Sequence, residues 1–262
     1  MEFTDAQIGA WVGSFVWPLF RIASFLMIIP VFGTQLVPMR VRSGMAFLLA
    51  VIVAPLIPEV PLIEALSIEA ILITMQQVFI GALTGLMFVM LLQIFVVAGQ
   101  IIAMQMGLGF ASMVDPINGV NVPILSQIYL ICVTLIFLSM NGHLVMIETI
   151  IESFEIWPIS KDILGGSSIQ PEQLWQFLLR INWLFASALL VALPVITSVL
   201  IVNISFGIVT RAAPQMNVFT LGFPIGMLFG VFLIWASVSE LAPMFDRFSR
   251  ELFEFFREIK GV

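Results

Sequence analysis

The chain has 262 residues, of which 61% are hydrophobic and only 10% charged. Soluble domains carry about a quarter charged residues to cover their surface, so a mean hydropathy of +1.14 places most of this surface against lipid or apolar protein. A net charge of −6 excludes the basic footprint of a nucleic-acid binder, and continuous apolar runs exclude an outer-membrane barrel, whose strands alternate apolar and polar residues.

Glu2 and Asp5 stand where a cleavable signal would need basic residues, so the first apolar segment is expected to stay in the mature protein. Apolar runs cover residues 8–32, 44–57, 68–98, 124–140, 183–209 and 223–238. A helix needs about 20 residues to cross the hydrocarbon. The second and fourth runs are short, as expected where helices are broken or where partner protein replaces lipid. Pro18, Pro30, Pro55, Pro194 and Pro224 lie in or beside the runs and predict kinks or ends.

The connections differ in character. Residues 34–43 carry Arg40 and Arg42, whereas residues 58–69 carry only the acids Glu59, Glu64 and Glu69. Residues 141–182 form the longest polar stretch, with a Gly165-Gly166-Ser167-Ser168 turn ahead of Pro171, a helix-start signal. Residues 211–222 read as a hairpin loop. After Pro243, Phe245, Phe248, Leu252, Phe255, Phe256 and Ile259 recur on one face of a helix. Its other face is charged, with Asp246–Arg250 and Arg247–Glu251 at i,i+4. Such a helix lies at a membrane interface or docks on a partner, and its near-balanced charge favours the partner. Six spans put both termini on one side. Placing Arg40, Arg42 and Arg211 in the cytoplasm then leaves Arg247, Arg250, Arg257 and Lys260 outside, against the positive-inside rule. Either the span count differs, or the chain is not held in the bilayer like an ordinary transporter.

Residues for chemistry are few. His143, in Asn141-Gly142-His143, is the sole histidine; Glu148 and Glu152 do not complete a helix-face ligand set, so no metal and no cofactor is expected. Cys132 is the sole cysteine and can form no intrachain disulfide. With Lys161 and Lys260 outside the apolar runs, no nucleophile–base pair is supported and an enzyme is not expected. The third to fifth runs hold no acid beyond Glu69 at one edge, which argues against proton coupling within the chain. Arg21 is the one charge well inside a run. It is a candidate intramembrane ion pair with a partner's carboxylate, unless it snorkels; a substrate contact is the weaker reading.

Packing signals are stronger. Gly9 and Gly13, Gly81 and Gly85, and Gly222, Gly226 and Gly230 repeat at spacing four, which lets another backbone approach closely. They serve intrachain packing or assembly with other chains. Residues 104–123 carry Gly107, Gly109, Gly119, Pro116 and Pro123, with Asp115-Pro116 and Asn118-Gly119 turns, so they are not regular helix throughout. Yet the segment is nearly uncharged and lined with Met104, Met106, Phe110, Met113, Val114, Ile117 and Val122. Irregular backbone at membrane depth is buried in protein or lines a cavity, and methionine makes a deformable lining. A pore or constriction element is expected.

These features resemble a known family, the FliR export-gate subunits shared by flagellar and virulence type III secretion. The resemblance runs through essentially the whole chain. It is carried by Arg21 with residues 30–33, 37–42, Gly81 and Gly85, Ala98-Gly99-Gln100, residues 107–116 and Asn141-Gly142-His143. Ser153-Phe154 with Pro158, residues 213–219 and Gly222-Phe223-Pro224 complete it. The family often has a second histidine where this chain has Leu144, a departure that weakens any metal site further. The central loop is similar to the flagellar branch.

The resemblance implies an all-α, polytopic membrane-type protein with broken helices, part of a helical multi-subunit channel assembly. Residues 1–182 would be a FliP-like part, 183–242 a FliQ-like helical hairpin, and 243–262 an amphipathic C-terminal helix. FliP-like, FliQ-like, FlhB-like and FlhA-like chains would be partners, and unfolded flagellar subunits the cargo. Met104, Met106, Gly107, Gly109, Phe110, Met113, Asp115, Pro116, Asn118, Gly119, Val122 and Pro123 would belong to a channel plug. The core would sit in the inner membrane at the flagellar basal body, raised toward the periplasm. The competing expectation is a stand-alone transporter or channel for small solutes.

Overall fold

The computed structural model describes residues 5–30, 32–33, 37–57, 67–108, 124–160, 169–213 and 222–260. Nearly all are helical, and no strand occurs among them. The helices are α1 (Asp5–Ile28), α2 (Met39–Val53), α3 (Ile68–Gln105), α4 (Ile124–Ser139), α5 (Gly142–Ile156), α6 (Pro171–Ala212), α7 (Phe223–Ser237) and α8 (Leu241–Lys260). A 3₁₀ turn, Ala54–Leu56, extends α2, and another, Val238–Glu240, joins α7 to α8. Among the described residues, four helical stretches are long and apolar enough to cross a membrane: Met39–Leu56, Ile68–Gln105, Pro171–Ala212 and Pro224–Ile259. Ile124–Ser139 with Gly142–Ile156 adds a fifth if the two are one broken span. The six apolar runs therefore do not map one to one onto spans.

Local chemistry explains the boundaries. Ser67 caps α3 by accepting the Ala70 N–H on its hydroxyl at 3.2 Å, and Glu69 lies in the first turn where the helix dipole favours an acid. At the start of α6, Pro171 supplies the preset φ of a first helical residue. Gln173 reaches back to accept the Gln170 N–H at 3.0 Å, half of a capping box. That helix starts well before the apolar run at Trp183 because its early polar residues have partners. Gln173 accepts from Trp157 Nε1 at 3.1 Å and donates to the Ile259 carbonyl at 3.4 Å. Of the prolines, Pro30, Pro55 and Pro224 mark helix ends or starts, as expected. Pro18 and Pro194 lie inside α1 and α6, which continue past them. At Pro194 the hydroxyls of Thr197 and Ser198 turn back onto the carbonyls of Leu193 and Pro194.

The chain forms two compact units that interleave along the sequence, whereas the three expected segments are consecutive. The first comprises Met1–Met90, Asn141–Leu179 and Glu254–Val262. Its core joins Ile22 and Phe25 of α1, and Ile29 just after it, with Ile73, Ile80, Met87 and Phe88 of α3, all fully buried. Phe25 and Phe88 meet edge to face at 6.1 Å. The second unit comprises Leu91–Met140 and Arg180–Phe253. Aromatic rings dominate it: Phe95 packs on Phe245 and Phe248, Phe137 on Phe245, and Trp183 edge-on to Phe248.

The amphipathic helix α8 is thus covered differently from either sequence expectation. Its six apolar residues are all buried inside the chain. Phe255 packs on Phe177 at 5.5 Å, and Trp183 donates to Glu251 at 2.7 Å. The apolar face is therefore occupied and meets neither lipid nor a partner.

Candidate functional site

In the first unit, the charge inside the first apolar run organises its surroundings. Arg21 is 0% exposed. Its Nε donates to Gln77 Oε1 at 2.7 Å, and its two terminal nitrogens donate to the carbonyls of Ser153 and Trp157 at 2.8 and 2.7 Å. A longer contact reaches Ser153 Oγ at 3.4 Å. The guanidinium carbon lies 4.1 Å from the Phe154 ring centroid. No carboxylate pairs with Arg21 among the described residues. Compensation comes instead from the C-terminal end of α5, where the aligned peptide dipoles leave partial negative charge on the carbonyls; the Ser153 carbonyl accepts from the Trp157 N–H at 3.0 Å as well as from Arg21. The candidate ion pair is therefore replaced by neutral acceptors, and full burial leaves no room for snorkelling.

Glycine brings α3 close enough for this. A Cβ on Gly81 would collide with the Arg21 carbonyl and the Ser24 hydroxyl. On Gly85 a Cβ would lie 3.1 Å from the Phe25 carbonyl. This small-residue pair thus works within the chain, holding α3 on the backbone of α1. Gly13 faces the ring of Trp17, one turn along in α1. Gly9 lies in α1, where no side-chain surroundings are described.

In the second unit, α3 stops in a built C-cap. Gly107 adopts φ 81°, which suits glycine because it has no Cβ to clash. The Gly107 N–H donates to Met104 O at 3.0 Å and the Leu108 N–H to Ala103 O at 2.9 Å, the bond pair of a Schellman motif. Met106 is buried and packs on α7: a Cβ on Gly230 would lie 2.6 Å from Met106 Cε. Met104 is 63% exposed. The remaining expected plug residues, Gly109, Phe110, Met113, Asp115, Pro116, Asn118, Gly119, Val122 and Pro123, lie outside the described residues. In α7, Gly226 is in ordinary contact with Asn203 Oδ1 at 3.6 Å, and Gly222 is buried just ahead of the helix.

Residues 12–252 match the profile of the bacterial export proteins, family 1. The chain belongs to that family. It is 31% identical to flagellar biosynthetic protein FliR of Escherichia coli (strain K12) over 99% of this chain and 97% of that protein. The FliR of Pectobacterium carotovorum subsp. carotovorum is 32% identical, again over 99% and 97%. The FliR of Bacillus subtilis (strain 168) is 31% identical over 81% of each chain. The matched span of this export family contains Arg21, the glycine crossings and the whole expected plug.

Three contributors were not singled out from the sequence as site residues. Gly99 lets α4 approach, a Cβ there lying 2.9 Å from Ser126 Cα. Gln77 is an isolated amide in an apolar run, and Trp157 precedes Pro158 at a helix end. Gly99 and the Ser153-Phe154 pair do fall inside the segments that carry the family resemblance. His143 is half-buried beside Asn141, whose φ of 57° starts α5 from the left-handed region that asparagine tolerates. Among the described residues no group of three or more His, Cys, Asp or Glu is arranged to hold a metal ion.

Proposed function

We propose that this chain is a non-enzymatic subunit of the flagellar type III protein export gate, which it helps to form and to close. The observation that carries the assembly reading is helix length. Exposed apolar side chains run along α6 from Trp175 to Val209, about 51 Å at 1.5 Å per residue. The hydrocarbon of a bilayer is about 30 Å thick, so lipid alone does not cover this stripe even in a strongly tilted helix. Other protein must cover the remainder. FliP-like and FliQ-like chains are the proposed neighbours, with FlhB-like and FlhA-like chains and unfolded flagellar subunits as further partners. A core raised from the inner membrane toward the periplasm would place such long apolar helices against protein.

Residues 107–123 are the proposed plug, with residues 183–242 as the hairpin that flanks its stem. Two features support this role. The Schellman cap at Gly107 ends α3 at the start of the segment, and Met106 seats that end on Gly230. A loop that starts from a fixed stem can occupy a channel reproducibly. The test is deletion of residues 109–122 in the assembled gate. Ion or small-molecule leak across the membrane is expected to rise, and unchanged permeability in an intact gate removes the plug role. A chain that purifies without partners and moves a small solute in liposomes would instead support a stand-alone transporter.

A further inference from the structure

The stretch Met39–Leu56, α2 with its 3₁₀ extension, carries an apolar arc that stays largely exposed among the described residues, although the Phe47 ring meets Phe15 edge to face at 5.3 Å. Its buried stripe is narrow and made of small residues, Ala46, Ala50 and Val53, with α1 packed alongside. Phe47, Leu48, Val51, Ile52 and Leu56 are 51%, 63%, 49%, 62% and 66% exposed. Helix–helix contacts in membranes use small or hydrogen-bonding residues. From Ala46 onward α2 spends its small residues on α1 and points bulky aliphatic and aromatic ones outward. Its 18 residues rise about 27 Å, close to the thickness of the hydrocarbon. The 38 residues of α3 and 42 of α6 rise about 57 and 63 Å and fit no bilayer.

The charges add direction. Both lie in the first turns: Arg40, exposed, and Arg42, which donates to the Val37 carbonyl at 2.8 Å. Cations at the start of a helix oppose its own dipole, so the dipole does not account for them. An anionic headgroup layer does. The next charges in sequence beyond the other end are Glu59 and Glu64, the sign asymmetry of a span with its basic end in the cytoplasm.

We infer that α2 is a lipid-contacting span on the outside of the assembled gate, its Phe47–Ile52 arc against acyl chains and Arg40 and Arg42 at anionic headgroups of the cytoplasmic leaflet. The inference rests on the assembly reading, and its test separates the two. The complex is purified in a Cys132→Ser background and placed in nanodiscs of phosphatidylcholine and phosphatidylglycerol. Nitroxide labels are attached at Leu48→Cys and Ile52→Cys, with Ala50→Cys as the buried control. Oxygen is expected to relax the labels at 48 and 52 several-fold more than a water-soluble nickel reagent. Low access to both reagents at 48 and 52 means that protein covers the arc, and dominant nickel access means water; either result overturns the inference. If the chain purifies without partners, the assembly reading fails, and the same labels then decide lipid against water for the lone chain. Phosphatidylglycerol retained in native mass spectrometry is expected to fall about two-fold or more in the double variant Arg40→Gln, Arg42→Gln. Equal retention overturns the headgroup contact.

Discussion

A buried arginine without a carboxylate survives only if several acceptors meet its planar fork at once. Arg21 achieves this through Gln77, Ser153 and Trp157, with Phe154 against the guanidinium face. A lysine keeps the charge but offers donors from one point, so it reaches no such set. Arg21→Lys is therefore expected to destabilise the protein about as much as Arg21→Met, by roughly 2–4 kcal/mol. Thermal unfolding in detergent checks this, and a lysine variant that melts with the wild type would mean that charge alone suffices. Gly81 provides a second residue-scale test. Gly81→Ala must push α1 and α3 apart, at roughly 1–3 kcal/mol, whereas Gly44 has nothing within 4 Å of an added Cβ. Gly44→Ala is expected to be neutral or slightly stabilising in the same melt. The sequence made Arg21 and the Gly81–Gly85 pair visible as exceptions within apolar runs. It did not reveal their partners, because Gln77 and Trp157 lie 56 and 136 residues away from Arg21. Periodicity on one helix does not say which other helix faces it.

The same limit governs whole elements. The period of Phe245, Phe248, Leu252, Phe255, Phe256 and Ile259 correctly announces a helix with one apolar face, but period alone demands a cover without naming it. Phe95, Phe137, Phe177 and Trp183 supply that cover from distant parts of the chain. Phe248→Ala is accordingly expected to cost about 3–5 kcal/mol, as for a large ring removed from a core. A helix merely resting on a membrane surface would lose far less. Glu254, on the exposed face, serves as the control, with Glu254→Ala expected within about 0.5 kcal/mol. Protease cleavage in α8 follows the difference, since local opening governs its access. Helix starts were legible where local chemistry marks them, as at Pro171. The extent of α6 was not, because hydropathy overlooks polar residues that are satisfied inside a helix.

At the scale of the molecule, the question is what covers so much apolar surface. Leu178 and Ile208 lie on the same helix and are 57% and 65% exposed. They are 30 residues apart (208 minus 178), about 45 Å along the axis, and about 34 Å along the membrane normal at a 40° tilt. Hydrocarbon about 30 Å thick does not contain both. If lipid were the only cover, at least one would sit in the headgroup region or water, where a glutamine is harmless. If neighbouring subunits cover the stripe, glutamine at either position buries an amide without a partner, at about 1–3 kcal/mol. Leu178→Gln and Ile208→Gln are each expected to lower recovery of the multi-subunit complex in mild detergent, by roughly thirty-fold at the middle of that range. Full recovery with either variant would leave that end of α6 to solvent or headgroups and shorten the surface that assembly has to explain.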